Sequence, residues 1–372
     1  MIAFIITARS SYTKVKPILD DLQKRAAPFT VIACASALLE RYGRVVDVIK
    51  KDGFPVEAEL YTVVEGETLE TSVHESAMLS SSLGHALHGL RPTIGVVVAD
   101  RHEVLSAAQS CSYLHIPLVH LQGGEISGSI DDKVRNAITQ LADYHFVCTE
   151  RAATRVFLMT NSIHIYQTGC PSIDLAKQAL TEPPVSLTEM GGAGADIDLN
   201  HPFLVVLQHS VTNEASHTLQ QMRETLAAVK DIALPMVMMW PGEDAGSDGI
   251  SKAIRLHMNT HPNHAIHTVR NLPPNRFLRL LSQAACLIGN SSVGIRECSY
   301  IGTPVVDIGT RQHGREHSDN VMNVYYNHIE IKKAIERQLS SKRHFLSSTL
   351  YGDGTAADQS ANILCRLLSH SS

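Results

Sequence analysis

The sequence predicts an α/β protein built from two Rossmann-like, doubly wound domains. Three observations predict it. Short, almost uninterrupted apolar runs alternate with helical stretches from the first residue onward, as expected of parallel strands covered on both faces. This rhythm breaks once, over 182–202 (EPPVSLTEMGGAGADIDLNHP), which is rich in Pro, Gly and polar residues and reads as a linker. It then restarts, and a chain of 372 residues is long enough for two such units.

In the first half, residues 2–7, 29–34, 93–99, 118–121, 145–148 and 163–167 read as strands, and 12–25, 75–90, 103–114 and 132–142 as helices. In the second half, 203–207, 235–239, 265–268, 286–288 and 304–307 read as strands. Helices are expected near 218–229, 250–257 and 277–284, with the last two over 330–339 and 356–368. The domain expectation is therefore 1–182, a linker at 183–202, 203–354, and a C-terminal helix within 355–372. Ligand chemistry in such folds sits at the carboxyl ends of the strands, here in a cleft expected between the domains.

Composition removes several classes of function. Lys and Arg number 32 against 37 Asp and Glu, a net charge of −5, without the basic excess of a nucleic-acid binder. No apolar run approaches the roughly 18 residues that span a bilayer, and the N-terminal run lacks a basic leader, so neither a membrane span nor a signal peptide is predicted. Seven scattered cysteines without a C-x-x-C pair suggest reduced thiols, a cytoplasmic location and no common zinc site. No metal is expected.

Several strand ends carry chemistry. The first runs into Arg9, a serine-rich helix start and Lys14, where a guanidinium and backbone N–H groups can hold an anion together; an ordinary capped helix start is the plainer reading. Asp100 closes the apolar run 94–99. The next strand leads into Gln122, two glycines that permit unusual backbone angles and close ligand approach, Glu125, and the pair Asp131–Asp132, either of which also suits a helix N-cap. Carboxylates gathered on one cleft favour proton transfer. In the second half, His209 closes the first strand, and 288–297 reads as a strand, a small-residue turn with Ser291 and Ser292, and a helix start carrying Glu297. Phosphate can approach such a turn, while Glu297 suits a ribose diol. Arg311 and Arg315 lie in the following glycine-containing loop and suit a diphosphate. Neither a P-loop nor a G-x-G-x-x-G fingerprint is present, so no ATP or NAD cofactor is implied.

Together these motifs resemble the UDP-N-acetylglucosamine 2-epimerase family, hydrolysing branch. The Arg9…Lys14 start, Asp100-Arg101, GGEISGSIDD (123–132), LQHSVT (207–212), DAGS (244–247), IGNSSVGIRE (288–297), GTRQHGRE (309–316) and YGDG (351–354) follow the family's order across nearly the whole chain. The resemblance implies a GT-B-like fold and no dissociable cofactor. It places uridine and phosphates against Ser291, Ser292, Glu297 and Arg311, with Arg9 and Lys14 on the substrate, and the sugar against Asp100, Glu125, Asp131 and His209.

The implied reaction converts UDP-GlcNAc and water to ManNAc and UDP in sialic-acid-type synthesis. UDP-2,4-diacetamido-2,4,6-trideoxyglucose, of the legionaminic-acid type, is the alternative substrate. A non-hydrolysing epimerase and a non-catalytic UDP-sugar sensor remain as further readings. The family also implies a homodimer or homotetramer. Gln122 stands where the family carries a catalytic glutamate, and Asn136 and Asp143 stand where close hydrolysing relatives carry histidines.

Overall fold

The computed structural model describes residues 1–372 apart from 41–42, 66–67, 128–129, 243–245, 341–344 and 371–372. The chain divides into two compact units, Met1–Glu125, Ile130–Asp174 and Tyr351–Ser372 in one, Ile126–Ser129 and Leu175–Leu350 in the other.

The first unit contains β1 (Ile2–Ile6), β2 (Phe29–Cys34), β3 (Val56–Leu60), β4 (Ile94–Val98), β5 (Leu118–Leu121), β6 (Tyr144–Val147) and β7 (Ile165–Gln167). They form one parallel sheet in the order β3-β2-β1-β4-β5-β6-β7, with the order reversing between β1 and β4. The unbroken apolar run of β1 follows from burial on both faces. Ile2, Phe4 and Ile6 pack with Val15, Ile18, Leu19 and Leu22 of the Arg9–Lys24 helix. Ala3 and Ile5 pack with Leu79, Leu83 and Leu87 of the Leu69–Leu90 helix and with Val104 and Ala107 of the His102–Tyr113 helix.

The second unit contains β8 (Ala193–Gly194), β9 (Leu204–Leu207), β10 (Met236–Met239), β11 (Ile266–Val269), β12 (Cys286–Gly289), β13 (Val305–Ile308) and β14 (Val321–Val324). Their order is β14-β13-β12-β9-β10-β11-β8, so the same doubly wound arrangement recurs, reversing between β9 and β12. Ligands of open α/β sheets bind at such reversal points, outside the carboxyl ends of the strands. Those ends are the tips of β1 and β4 in the first unit and of β9 and β12 in the second.

Two expected boundaries move. The polar stretch 183–202 is not a free tether: Leu187–Met190 is helical, and Ala193–Gly194 pairs antiparallel with His267–Thr268 on the edge of the second sheet. Arg276 binds both Glu182 and Glu189 and donates to the carbonyls of Pro183 (2.9 Å) and Pro184 (3.2 Å), which fixes this segment to the Pro274–Gln283 helix. The second unit therefore begins near Leu175. At the other end, 351–354 goes with the first unit, where Cys170 N–H donates to the Tyr351 carbonyl at 2.7 Å. The Ala356–His370 helix buries Ala357, Ala361 and Leu364 in the β1 core, and Asp174 accepts from its Ala357 N–H at 3.0 Å.

Candidate active site

In the first unit a buried arginine organises the carboxylates. Helix Asp131–Leu141 opens with Asp131 and Asp132 in its first turn and carries Arg135 one turn later, 1% exposed. Arg135 Nη2 pairs with the Asp100 carboxylate, while its Nη1 donates to Asp132 Oδ1 and, at 2.8 Å, to the Glu125 carbonyl. The N-cap position is Ile130, not either aspartate, and it makes no side-chain cap; both acids instead lie within the helical first turn, where they also oppose the positive helix end. The Asp100 and Asp132 carboxylates and the Glu125 backbone carbonyl are thus brought together by a residue that carried no sequence signal beyond its spacing of three from Asp132. Gly128 and Ser129 of the GGEISGSIDD motif lie outside the described residues.

Strand ends here are held in strained backbone. Ala99 (φ 65°) and Gln122 (φ 66°), just past β4 and β5, both adopt the left-handed region that non-glycine residues rarely enter. Each still extends its sheet, Ala99 N–H donating to Leu121 and Gln122 N–H to Phe146. His120, wholly buried, braces this corner with Nε2 2.9 Å from the Ala99 carbonyl and Nδ1 3.2 Å from Thr139 Oγ1. Burial pushes its pKa down to about 4, so the ring is neutral. The double glycine was expected to admit a ligand. What approaches Gly124 (φ 78°) is protein: a Cβ there would lie 2.3 Å from the Ala152 carbonyl.

Gln122 is 2% exposed, donates Nε2–H to Cys170 Sγ at 3.1 Å, and leaves Oε1 without a partner among the described residues. An amide cannot act as a base, so Gln122 contributes at most hydrogen bonding. Neither Asn136 nor Asp143 is among the side chains that bind Arg135 in this cluster. Asn136 is exposed on its helix, and Asp143 accepts from Leu118 N–H at 2.8 Å at the opposite, amino-terminal end of β5.

Arg9 is the first residue of its helix and half-buried, with Nη1 sequestered and no ion-pair partner among the described residues; burial lowers its pKa. A partly dehydrated guanidinium at a helix start favours an anion. Lys14 follows on the same helix. Behind Asp100, Arg101 forks onto buried Glu103 (Nε to Oε2 3.2 Å, Nη2 to Oε1 3.1 Å), with His102 Nδ1 3.3 Å from that carboxylate and Nε2 3.7 Å from Glu75. Glu75, His102 and Glu103 are close enough for metal donors, but the cation in contact with Glu103 is a guanidinium.

In the second unit the polar groups converge on Asn290, wholly buried just past β12. Its Oδ1 accepts from His209 N–H at 2.7 Å and its Nδ2 donates to the His209 carbonyl at 2.8 Å, across the reversal point between β9 and β12. Its own carbonyl accepts from Gln312 Nε2 at 2.8 Å and Arg311 Nη1 at 3.3 Å. His209 and Arg311 are therefore fixed through one side chain and one carbonyl.

Ser291 caps the turn that follows, but the expected helix is short: Ser292–Ile295 and Glu297–Ile301 are separated by a break at Arg296. Glu297 lies past that break, with Oε2 buried and no partner for it among the described residues. Buried Asp307, at the β13 tip, has its pKa raised by desolvation to about 7 despite the charges of Arg311 and Arg315. Thr310 and Gln221 both bind Glu214, tying the 309–316 loop to the Thr212–His217 turn. Asp244 and Ala245 of the DAGS motif lie outside the described residues.

Two doubly wound units of this kind define a GT-B-like α/β protein. A solved structure with the same fold is the UDP-GlcNAc 2-epimerase from Neisseria meningitidis bound to UDP-GlcNAc, with a TM-score of 0.82 at 16% identity, covering 98% of this chain and 99% of that one. A sequence model of the UDP-N-acetylglucosamine 2-epimerase family matches residues 20–365, and the chain belongs to that family. Among curated relatives, the UDP-N,N'-diacetylbacillosamine 2-epimerase (hydrolyzing) of Legionella pneumophila is 28% identical over 100% of this chain and 97% of its own length. The UDP-N-acetylglucosamine 2-epimerase of Neisseria meningitidis is 25% identical over 94% of this chain and 90% of its own. No helix among the described residues is long and apolar enough to cross a membrane.

Proposed function

We propose that this protein is a hydrolysing UDP-sugar 2-epimerase. One carboxylate of the set Asp100, Glu125 and Asp131 removes the sugar C2 proton as the C1–O bond to UDP breaks, its electron pair leaving on the diphosphate. The result is a C1=C2 glycal. Water then adds its oxygen at C1, a second group returns a proton to C2 from the opposite face, and the free 2-epimer and UDP depart. His209 is the remaining proton-handling group. Arg9, Lys14, Ser291, Ser292, Glu297 and Arg311 bind the nucleotide, the cations and helix ends offsetting the charge that develops on the leaving diphosphate.

The observation that carries this reading is the Asp100 carboxylate fixed on buried Arg135, whose guanidinium also holds Asp132, the neighbour of Asp131, and the Glu125 backbone carbonyl: proton transfer at C2 needs a positioned acid–base group, and a sugar-nucleotide sensor does not. The hydrolysing mode and a diacetamido-trideoxy sugar are supported by the Legionella relative; UDP-GlcNAc is the second substrate, supported by the Neisseria relative.

Proton NMR in D2O with each nucleotide tests both. A free 2-epimer carrying deuterium at C2, with equimolar UDP, is the expected product from at least one. An epimerised sugar still linked to UDP would convert the reading to a non-hydrolysing epimerase, and binding of both without turnover to a sensor. A cytoplasmic homodimer or homotetramer completes the proposal, and a monomer by light scattering would remove that part of it.

A further inference from the structure

Arg135 has no place in the nucleotide chemistry, yet it is the most completely buried cation in the carboxylate cluster. Three segments of separate origin end on it: the β4 tip through Asp100, the loop after β5 through the Glu125 carbonyl, and the first helical turn through Asp132. Both N–H groups of Nη1 are committed, to Asp132 and Glu125, and Nη2 is held by Asp100. At 1% exposure it has no free face to offer a phosphate.

We infer that Arg135 is the positioning residue of the acid–base centre, fixing the Asp100 carboxylate against the Glu125 loop and the Asp131–Asp132 turn without itself touching the sugar. The inference rests on the epimerase reading and deepens it. A planar fork is required, because a lysine ammonium on a flexible stem cannot hold three acceptors in separate directions. The corner is braced elsewhere by groups that do not reach Asp100's carboxylate: His120 binds the Ala99 carbonyl, and Arg101 is taken up by Glu103. Among the described groups, Asp100 thus faces one guanidinium, Arg135, with Asp132 as the competing acid. Removing the guanidinium frees Asp100 to move and withdraws the charge that favours its ionised form. A displacement of about 1 Å at such a centre costs on the order of 100-fold in rate.

The test compares wild type, Arg135→Lys and Arg135→Gln in three readouts: melting temperature, steady-state kinetics across pH, and a substrate-free carboxyl-carbon NMR titration of aspartate-labelled protein, the Asp100 signal assigned by its loss in Asp100→Asn. Expected for the folded lysine variant is a kcat lower by about 100-fold, with KM within a few-fold of wild type. For the glutamine variant, the acidic limb of the kcat profile and the Asp100 titration both move up by about one pH unit or more.

A lysine variant within a few-fold of wild-type kcat overturns the inference. So does an Asp100 midpoint unchanged in the glutamine variant. Should the glutamine variant not fold, the lysine variant alone decides through its KM-against-kcat split. Should wild type turn over neither UDP-sugar, the functional reading fails, and the NMR midpoint still decides whether Arg135 governs Asp100.

Discussion

The carboxamide of Asn290 takes both backbone hydrogen-bonding groups of His209, accepting from the N–H at 2.7 Å and donating to the carbonyl at 2.8 Å. The pair bridges the two strand tips at which the second sheet reverses order, so a histidine proposed for catalysis is held there through its backbone. Asn290→Ala leaves a buried N–H and carbonyl to be satisfied otherwise, a loss of about 2 kcal/mol, read as a melting temperature lower by several degrees. Asn290→Asp keeps the acceptor but turns a buried carboxylate oxygen toward the His209 carbonyl, and should lower the melting temperature at least as far. An unchanged melting temperature in the alanine variant would show that water replaces the carboxamide without cost.

Asp100→Asn tests the first unit. The amide is nearly isosteric and can still accept from Arg135, but it cannot take a proton at neutral pH. Turnover should be lost, while UDP affinity by calorimetry stays near wild type, because the proposed nucleotide contacts lie on other residues. Near-normal turnover would remove Asp100 from the acid–base set.

Much of this was legible in the sequence. Doubly buried strands announce themselves as continuous apolar runs, and eleven of the fourteen strands lie in such runs or at their restart after 202. The misses have physical causes. β3 (VEAEL) is half-polar because it is an edge strand, β14 likewise, and β8 is two residues of an edge that only a neighbouring strand could reveal. Site residues at the tips of β4, β9 and β12 followed from the fold class alone. Arg135 and Asn290 did not: one is an arginine on an amphipathic helix, the other a residue in a small-residue turn, and only the tertiary structure shows that each gathers several segments. The double glycine was legible as special, but its reason, a helix carbonyl packed against it, lies 28 residues further along the chain.

Acid should destabilise this corner through His120. Its pKa falls from 6.5 in the unfolded chain to about 4 in the fold, so between those values the unfolded state binds more protons and stability falls as pH falls. The contribution is complete above pH 6.5 and about 3 kcal/mol smaller below pH 4. Asp174 and Asp307, raised to about 6 and about 7, act in the opposite sense, losing stability as pH rises. The useful reading is therefore a difference: melting temperature against pH for wild type and His120→Gln. The variant should show a shallower decline between pH 6.5 and 4, and parallel curves would mean that His120 is protonated in the fold.

The two glycines after Gln122 separate packing from ligand binding. At Gly124 an added methyl meets the Ala152 carbonyl at 2.3 Å and Val156 Cγ2 at 2.9 Å, on a backbone at φ 78° that disfavours any side chain. The left-handed conformation costs about 1–2 kcal/mol and the forced shift of the Glu150–Thr160 helix about 1–3 more. At Gly123 the nearest atoms are Thr139 Oγ1 at 3.0 Å and His120 Nδ1 at 3.1 Å, side-chain atoms that can give by a few tenths of an ångström. Gly124→Ala should therefore lower the melting temperature well beyond Gly123→Ala, with activity lost in proportion to folded protein. If Gly124→Ala instead melts like wild type and loses only turnover, the glycine is there for the substrate, and the helix carbonyl is a bystander.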